Sequence, residues 1–241
     1  STQEAQEKAG NTIAEQVDLA LRGKFVPFAV NVSASEATEI VRPFLSLAEK
    51  LGALFLGLCG QLPENVTINF AGEIGGYDNK ITELSALKGL FSNSDVTVSF
   101  VNAFSVAESQ GVNINAVSTT DSLDYLNTIT ISGGEHSIAG TVVGLKGEHR
   151  IVMVDDHTVD VPPSEHMVVL RNEDRPGVIG KVGTILGENQ INITDMNVGR
   201  SIDGYGALMV ISTQKSVSET VAEDLINIEG VTQCSTINLQ I

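Results

Sequence analysis

The sequence predicts an α+β protein in two units: a middle α/β unit with a mixed sheet over residues 33–163, and a βαββαβ unit over residues 164–241. Three observations predict it. From Met167 onward, two-residue and helical hydrophobic periods follow one another as strand, helix, strand, strand, helix, strand. The stretch Tyr125–Val161 is rich in β-branched residues and is broken by Gly133-Gly134 and Gly144–Gly147, as antiparallel hairpins require. Between the two stands Pro162-Pro163, a pair that continues neither a helix nor a central strand and so marks a boundary.

Taken in order, residues 2–22 read as a helix with Ile13 and Val17 among its apolar positions and Gly23 as its stop. Phe25–Val32 is apolar and extended, and Pro27 makes it a packed linker rather than a central strand. Glu36–Leu58 is a helix broken or restarted at Pro43. Val66, Ile68 and Phe70 alternate with Thr67 and Asn69, so this is a half-buried strand. Lys80–Phe91 is helical, with Ile81, Leu84 and Leu87 on one face. Val96–Val101 reads as a short strand, Asn102–Gln110 as a helix and Val112–Val117 as a strand. Tyr125–Ile131, His136–Val143, Arg150–Val154 and Thr158–Val161 follow as strands. In the last unit the strands are Met167–Leu170, Ile191–Val198, Ala207–Ser212 and Val231–Leu239, and the helices are Pro176–Glu188 and Ser218–Ile226. Such a unit leaves one sheet face and its edges open, and a second copy pairing edge to edge or back to back would cover them.

Charge excludes some partners. With 14 basic against 30 acidic residues the net charge is −16, which argues against nucleic acid or an anionic membrane as a partner held by bulk charge. No apolar run reaches the length of a membrane span, and the polar start Ser1-Thr2-Gln3-Glu4 is no secretory leader; it reads as the interior of a longer chain. Cys59 and Cys234 match no metal spacing, and Cys59 lies in an apolar run as a core thiol; a reducing cytoplasm suits both. His136, His149, His157 and His166 show no ligand spacing, so no metal is expected. No glycine-rich dinucleotide loop or nucleophile elbow occurs, so neither a bound cofactor nor a catalytic residue is expected within these residues. Gly177, Gly180 and Gly183 read as close packing in a helix. Lys146, His149 and Arg150 form the one basic cluster, either a solvated turn or a candidate anion site.

The richest segment is Asn172-Glu173-Asp174-Arg175-Pro176-Gly177-Val178-Ile179-Gly180, followed by Gln190-Ile191-Asn192-Ile193. Pro176 suits a first helical turn, and Gly177 adds no side chain, so a ligand can approach the backbone. The N–H groups of a helix start attract a carboxylate, Asp174 suits an ammonium, and Asn192 both donates and accepts. These are the groups that hold both ends of a free amino acid. The same residues also suit a plain helix cap at Asp174 and loop punctuation at Asn192.

The run from Arg175 to Leu186 with Gln190-Ile191-Asn192-Ile193 resembles the ACT domain, a ferredoxin-like module that binds amino acids. More narrowly, it resembles the one in the D-3-phosphoglycerate dehydrogenase family. Ser1–Gln6 with Ala14-Glu15-Gln16-Val17, and then Phe25–Val32, resemble the helix and hinge that follow the catalytic region of that family, so residues 1–32 are expected to be their remnant. The resemblance implies L-serine between two ACT domains, with Asp174 on the ammonium, N–H groups near Val178 and Ile179 on the carboxylate, and Asn192 on both. Asn172 stands where the family has His or Tyr. It implies self-association as a dimer or tetramer, a second allosteric site in the middle domain, and NAD and the catalytic groups elsewhere in a parent enzyme. The middle unit also resembles a domain of the iron–sulfur L-serine dehydratases, and some ACT domains only hold an oligomer together.

Overall fold

The computed structural model describes residues 3–21, 40–122, 124–201 and 206–239. The linker expected at Phe25–Val32 lies outside them. Helix α1 spans Gln3–Leu21, and helix α2 spans Arg42–Cys59 with Pro43 in its first turn, where a missing N–H costs nothing. Phe44, Leu47, Leu51, Leu54, Phe55 and Leu58 recur at helical spacing along α2 and are all buried.

Strand β1 (Asn65–Gly72) leads through a 3-10 turn (Glu73–Gly76) to α3 (Lys80–Leu90) and α4 (Ala103–Ser109). Then come β2 (Asn113–Thr119), β3 (Asn127–Gly133), β4 (His136–Val143), β5 (Glu148–Val154) and β6 (His157–Val161). Their order in the sheet is β2-β1-β3-β4-β5-β6, with β1 and β2 parallel and all other neighbours antiparallel, which is a mixed sheet. Ile68, Ile131, Ile138 and Val154 lie in one row across four strands and face the helices. The opposite face is polar, with Thr67 beside Ser132 and Ser132 beside Ser137.

The second unit is β7 (His166–Asn172), α5 (Val178–Glu188), β8 (Ile193–Arg200), β9 (Ala207–Thr213), α6 (Glu219–Ile226) and β10 (Val231–Asn238). It is a four-stranded antiparallel sheet in the order β10-β7-β9-β8, so the fold is α+β as the sequence predicts. Val168, Leu170, Met209 and Ile211 pack under α5 and α6. The other face does not await a second copy. Met167, Val169, Leu208, Val210 and Ile237 join the core of the first unit. Gly57 of α2 lies so close to Ile237 that a Cβ there would sit 2.6 Å from its side chain. Part of the β8 edge is also covered: Ser201, just beyond it, forms an antiparallel bridge to His157 of β6. The sheet thus reaches its partner surface within the chain.

Two local expectations are corrected. Val96–Val101 forms no strand: Val98 and Phe100 are buried, but Asn102 Oδ1 accepts from the Ser99 N–H at 2.7 Å and turns the chain into α4. Pro176 lies before its helix rather than in it. Gly177, with φ 95°, is the N-cap, a left-handed position that glycine occupies without strain. Among the described residues no helix is long and apolar enough to cross a membrane.

Candidate functional site

Strand β7 alternates its side chains between two faces, so Val168, Leu170 and Asn172 point toward the helices while Met167, Val169 and Arg171 point toward the middle domain. Asn172 is therefore a polar residue at the end of an apolar row. It is 6% exposed; its Nδ2 donates to Glu173 O at 2.7 Å, and its buried Oδ1 accepts no hydrogen bond among the described residues. A buried acceptor left in that state is costly and is rare unless something is meant to meet it.

From Asn172 the chain turns through exposed Glu173 and Asp174 to Gly177 and α5. Arg175 ties this turn down, its guanidinium lying 3.4 Å from Glu173 and 3.4 Å from Glu229. The N-cap residue of α5 is Gly177, which has no side chain to cap it; the first backbone bond in the helix runs from Lys181 N to Gly177 O at 3.1 Å, and a helix start leaves its first N–H groups, here those of Val178 and Ile179, without intrahelical acceptors. Val178 itself is buried and Ile179 is 51% exposed. Asn172, Asp174, Val178 and Ile179 are thus gathered at one end of α5.

Asn192 is not. It lies exposed past the other end of α5, behind Gln190 with φ 56°, and its carbonyl accepts from Gln214 N at 3.0 Å. Eleven helical residues separate the two ends, about 16 Å along the axis. One copy of the chain does not bring Asn192 to Asp174.

The outer face of α5 connects them. Gly177, Gly180, Lys181, Thr184 and Ile185, with Ile228, border a shallow groove of about 530 Å³. A Cβ on Gly180, Gly183 or Gly187 would meet nothing within 4 Å. The sequence expectation that Gly177, Gly180 and Gly183 serve close packing is corrected for the single chain: the face they form is open.

The basic cluster does not converge either. His149 and Arg150 are neighbours on β5 and so point to opposite faces. Arg150 faces Glu148 at 3.5 Å and Asp160 at 3.8 Å, and Lys146 is exposed in the turn. His149 meets Lys50 of α2 instead, with Lys50 Nζ 3.5 Å from its Nδ1; burial first, and then this ammonium, lower its pKa, against a backbone hydrogen bond that raises it. Lys50 was invisible to a reading along the chain because it comes from α2, nearly a hundred residues away. Burial pushes the Cys234 thiol up to about 11, and burial with the charge of Asp155 does the same for Cys59. Among the described residues no three His, Cys, Asp or Glu side chains gather as a metal site.

A four-stranded antiparallel sheet built in the chain order βαββαβ, with both helices on one face and docked on a mixed-sheet domain, defines the class as a two-unit α+β protein whose second unit is ferredoxin-like. A sequence profile described as the D-3-phosphoglycerate dehydrogenase intervening domain matches residues 40–155, and an ACT domain profile matches residues 166–230. Curated relatives named D-3-phosphoglycerate dehydrogenase align along 99% of the chain: that of Mycobacterium leprae at 34% identity, that of Synechocystis at 32% and that of Archaeoglobus fulgidus at 33%. The chain belongs to the D-3-phosphoglycerate dehydrogenase family and carries its intervening domain followed by its ACT domain. It spans a little under half the length of those relatives, 46%, 44% and 47% respectively.

Proposed function

We propose that these residues are the regulatory part of an NAD-dependent D-3-phosphoglycerate dehydrogenase acting in serine biosynthesis in the cytoplasm, and that they bind L-serine as a feedback effector between two ACT domains. The observation that carries the reading is the split site. The groups that would take the ammonium and the carboxylate of the ligand, Asp174 and the N–H groups of Val178 and Ile179, sit at the start of α5, and the Asn192 amide that would complete the site sits past the end of the same helix. A twofold axis crossing the open glycine face lays two α5 helices side by side and brings Asn192 of one copy to Asp174 of the other, twice. Asp174 then takes the ammonium, the N–H groups of Val178 and Ile179 take the carboxylate, the partner copy's amide meets both, and Asn172 Oδ1 gains its missing donor.

Serine bound across the axis favours the paired arrangement over any other, so it shifts the population toward it and away from the arrangement that the rest of the enzyme needs for turnover. A site with matched donors and acceptors rejects analogues lacking one of them. Titration calorimetry tests this: L-serine gives heat with the wild-type chain, and Asp174→Ala and Asn192→Ala each weaken binding at least tenfold, roughly the loss of one charge-assisted hydrogen bond. Equal heats for all three would remove the assignment.

A further inference from the structure

We infer that Arg171 is a coupling residue, which fastens the ACT domain to the middle domain at the β5–β6 turn and transmits occupancy of the Asn172 pocket to that turn. The transmission rests on the effector reading above; the fastening does not. Arg171 and Asn172 are consecutive in β7 and therefore face opposite sides of the sheet. Asn172 lies buried on the helix side beside the proposed effector site, and Arg171 reaches across the domain boundary, where its guanidinium donates to the carboxylate of Asp155.

Asp155 is built to be held. Its side chain is 7% exposed, and it adopts φ 53°, a left-handed conformation that Asp tolerates better than most residues. Its N–H donates to Ser137 O at 2.7 Å, its Oδ1 accepts from the Ser137 N–H at 2.8 Å, and His136 Nδ1 lies 3.3 Å away. Removing the Arg171 guanidinium leaves this buried carboxylate without its charged donor across the boundary, and removing Asp155 frees the part-exposed guanidinium from the turn.

The same turn grips the ACT sheet a second time. Ser201 donates to Asp156, His157 bridges to Ser201, and Gly199 approaches Thr158 so closely that a Cβ would sit 2.5 Å from its carbonyl oxygen. The Ser201 hydroxyl, and then the charges of His157 and Arg171, hold the Asp156 carboxyl below its usual pKa against the opposing effect of burial. Beside the pair opens a cleft of about 850 Å³ between the domains, bordered by Asp155, Asp156, His136, Arg171 and Gln233, which leaves the guanidinium room to leave its partner. An ion pair that is either made or broken is a two-state element, and a ligand that fixes the end of β7 biases it toward the made state.

Amide hydrogen exchange on the 241-residue chain tests this, read on peptides spanning residues 148–161, with and without L-serine, and with calorimetry on the same samples. Without ligand, Arg171→Met and Asp155→Asn should each exchange in the turn roughly tenfold faster than wild type, the loss of one charge-assisted hydrogen bond. Arg171→Lys should fall between, since a point charge replaces the fork. Two variants from opposite sides of the pair guard against one that misfolds. Wild-type rates in both would overturn the fastening. With serine, the wild-type turn should slow while Arg171→Met binds serine and its turn does not respond. Serine heat with no change in the wild-type turn would overturn the transmission and leave the effector site standing. No serine heat at all would overturn the effector reading and the transmission with it, while the ligand-free comparison still decides the fastening.

Discussion

Asn172 ends a row of valine and leucine side chains, and its buried Oδ1 accepts no hydrogen bond among the described residues. Its Nδ2 bond to Glu173 O holds the turn, while the unmet Oδ1 adds nothing to stability, so the residue can separate stability from binding. Asn172→Val should change the melting temperature by only a few degrees, since relief of the unsatisfied Oδ1 offsets loss of the Nδ2 bond to Glu173 O, while serine binding falls sharply. Thermal unfolding and calorimetry together check it. The pair His149–Lys50 gives a second prediction at this scale. The His149 pKa is lowered, so the folded chain binds fewer protons there; this contribution to stability is intact above the ordinary histidine value and is lost as pH falls from it through the lowered folded value. Lys50→Met should raise the His149 pKa, read by NMR titration of its ring proton. The thiols run the other way. Cys59 and Cys234, pushed up to about 11, favour the protonated folded form, so this contribution is complete below the ordinary thiol value of 9.0 and is lost as pH rises toward 11. Alkylation of both in the native chain at pH 8 should be slower than in the unfolded chain by about a hundredfold at most, the thiolate depletion that two pKa units imply.

At the scale of elements, helix α5 carries the account. Its open glycines make contrary demands on a mutation. Gly183→Ala should raise stability by up to about 1 kcal/mol through helix propensity, because the added methyl meets nothing in the single chain. Gly180→Leu should leave the fold intact and reduce both self-association and serine binding, because a large side chain would keep two α5 faces apart. Light scattering and calorimetry separate the two effects. Most elements could be read from the sequence because alternation and helical spacing are local. The sequence also pointed to Asp174, Val178 and Ile179 beside a helix start. It placed the start of α5 at Pro176 because proline favours a first turn, whereas a left-handed Gly177 comes between them. It read a strand at Val96–Val101 because buried Val98 and Phe100 mimic one, and the turn made by Ser99 and Asn102 is a side-chain network that apolar periodicity does not register.

For the whole molecule, two sheets share one core, and this was not read from the sequence. The signal was present: Val168-Val169-Leu170 and Leu208-Met209-Val210-Ile211 are apolar without alternation, as strands covered on both faces are. Which surface covers the second face depends on α2, more than a hundred residues away, and no local pattern specifies it. The consequence is cooperative unfolding. The chain described here should melt in a single transition, and Gly199→Val, which places bulk against Thr158, should lower the melting temperature and split the transition. Calorimetric scanning distinguishes this from two independent domains. With one sheet face already covered inside the chain, the α5 face is the surface best suited to a second copy. Among the described residues its groove is lined by one charged side chain, Lys181, and by no carboxylate, so a second copy placed there would meet little of the −16 net charge.

The sharing of one pocket by two copies is tested most directly by complementation. Asp174→Ala and Asn192→Ala chains are each expected to bind serine poorly alone. Unfolded together and refolded as an equal mixture, half of the dimers carry one partner of each kind, and one of their two pockets then has both groups intact. Serine titration should recover about one quarter of the wild-type sites at near wild-type affinity. A mixture that binds no better than the separate variants, although mixed dimers are present, would mean that each pocket is built from a single chain, contrary to the arrangement proposed here.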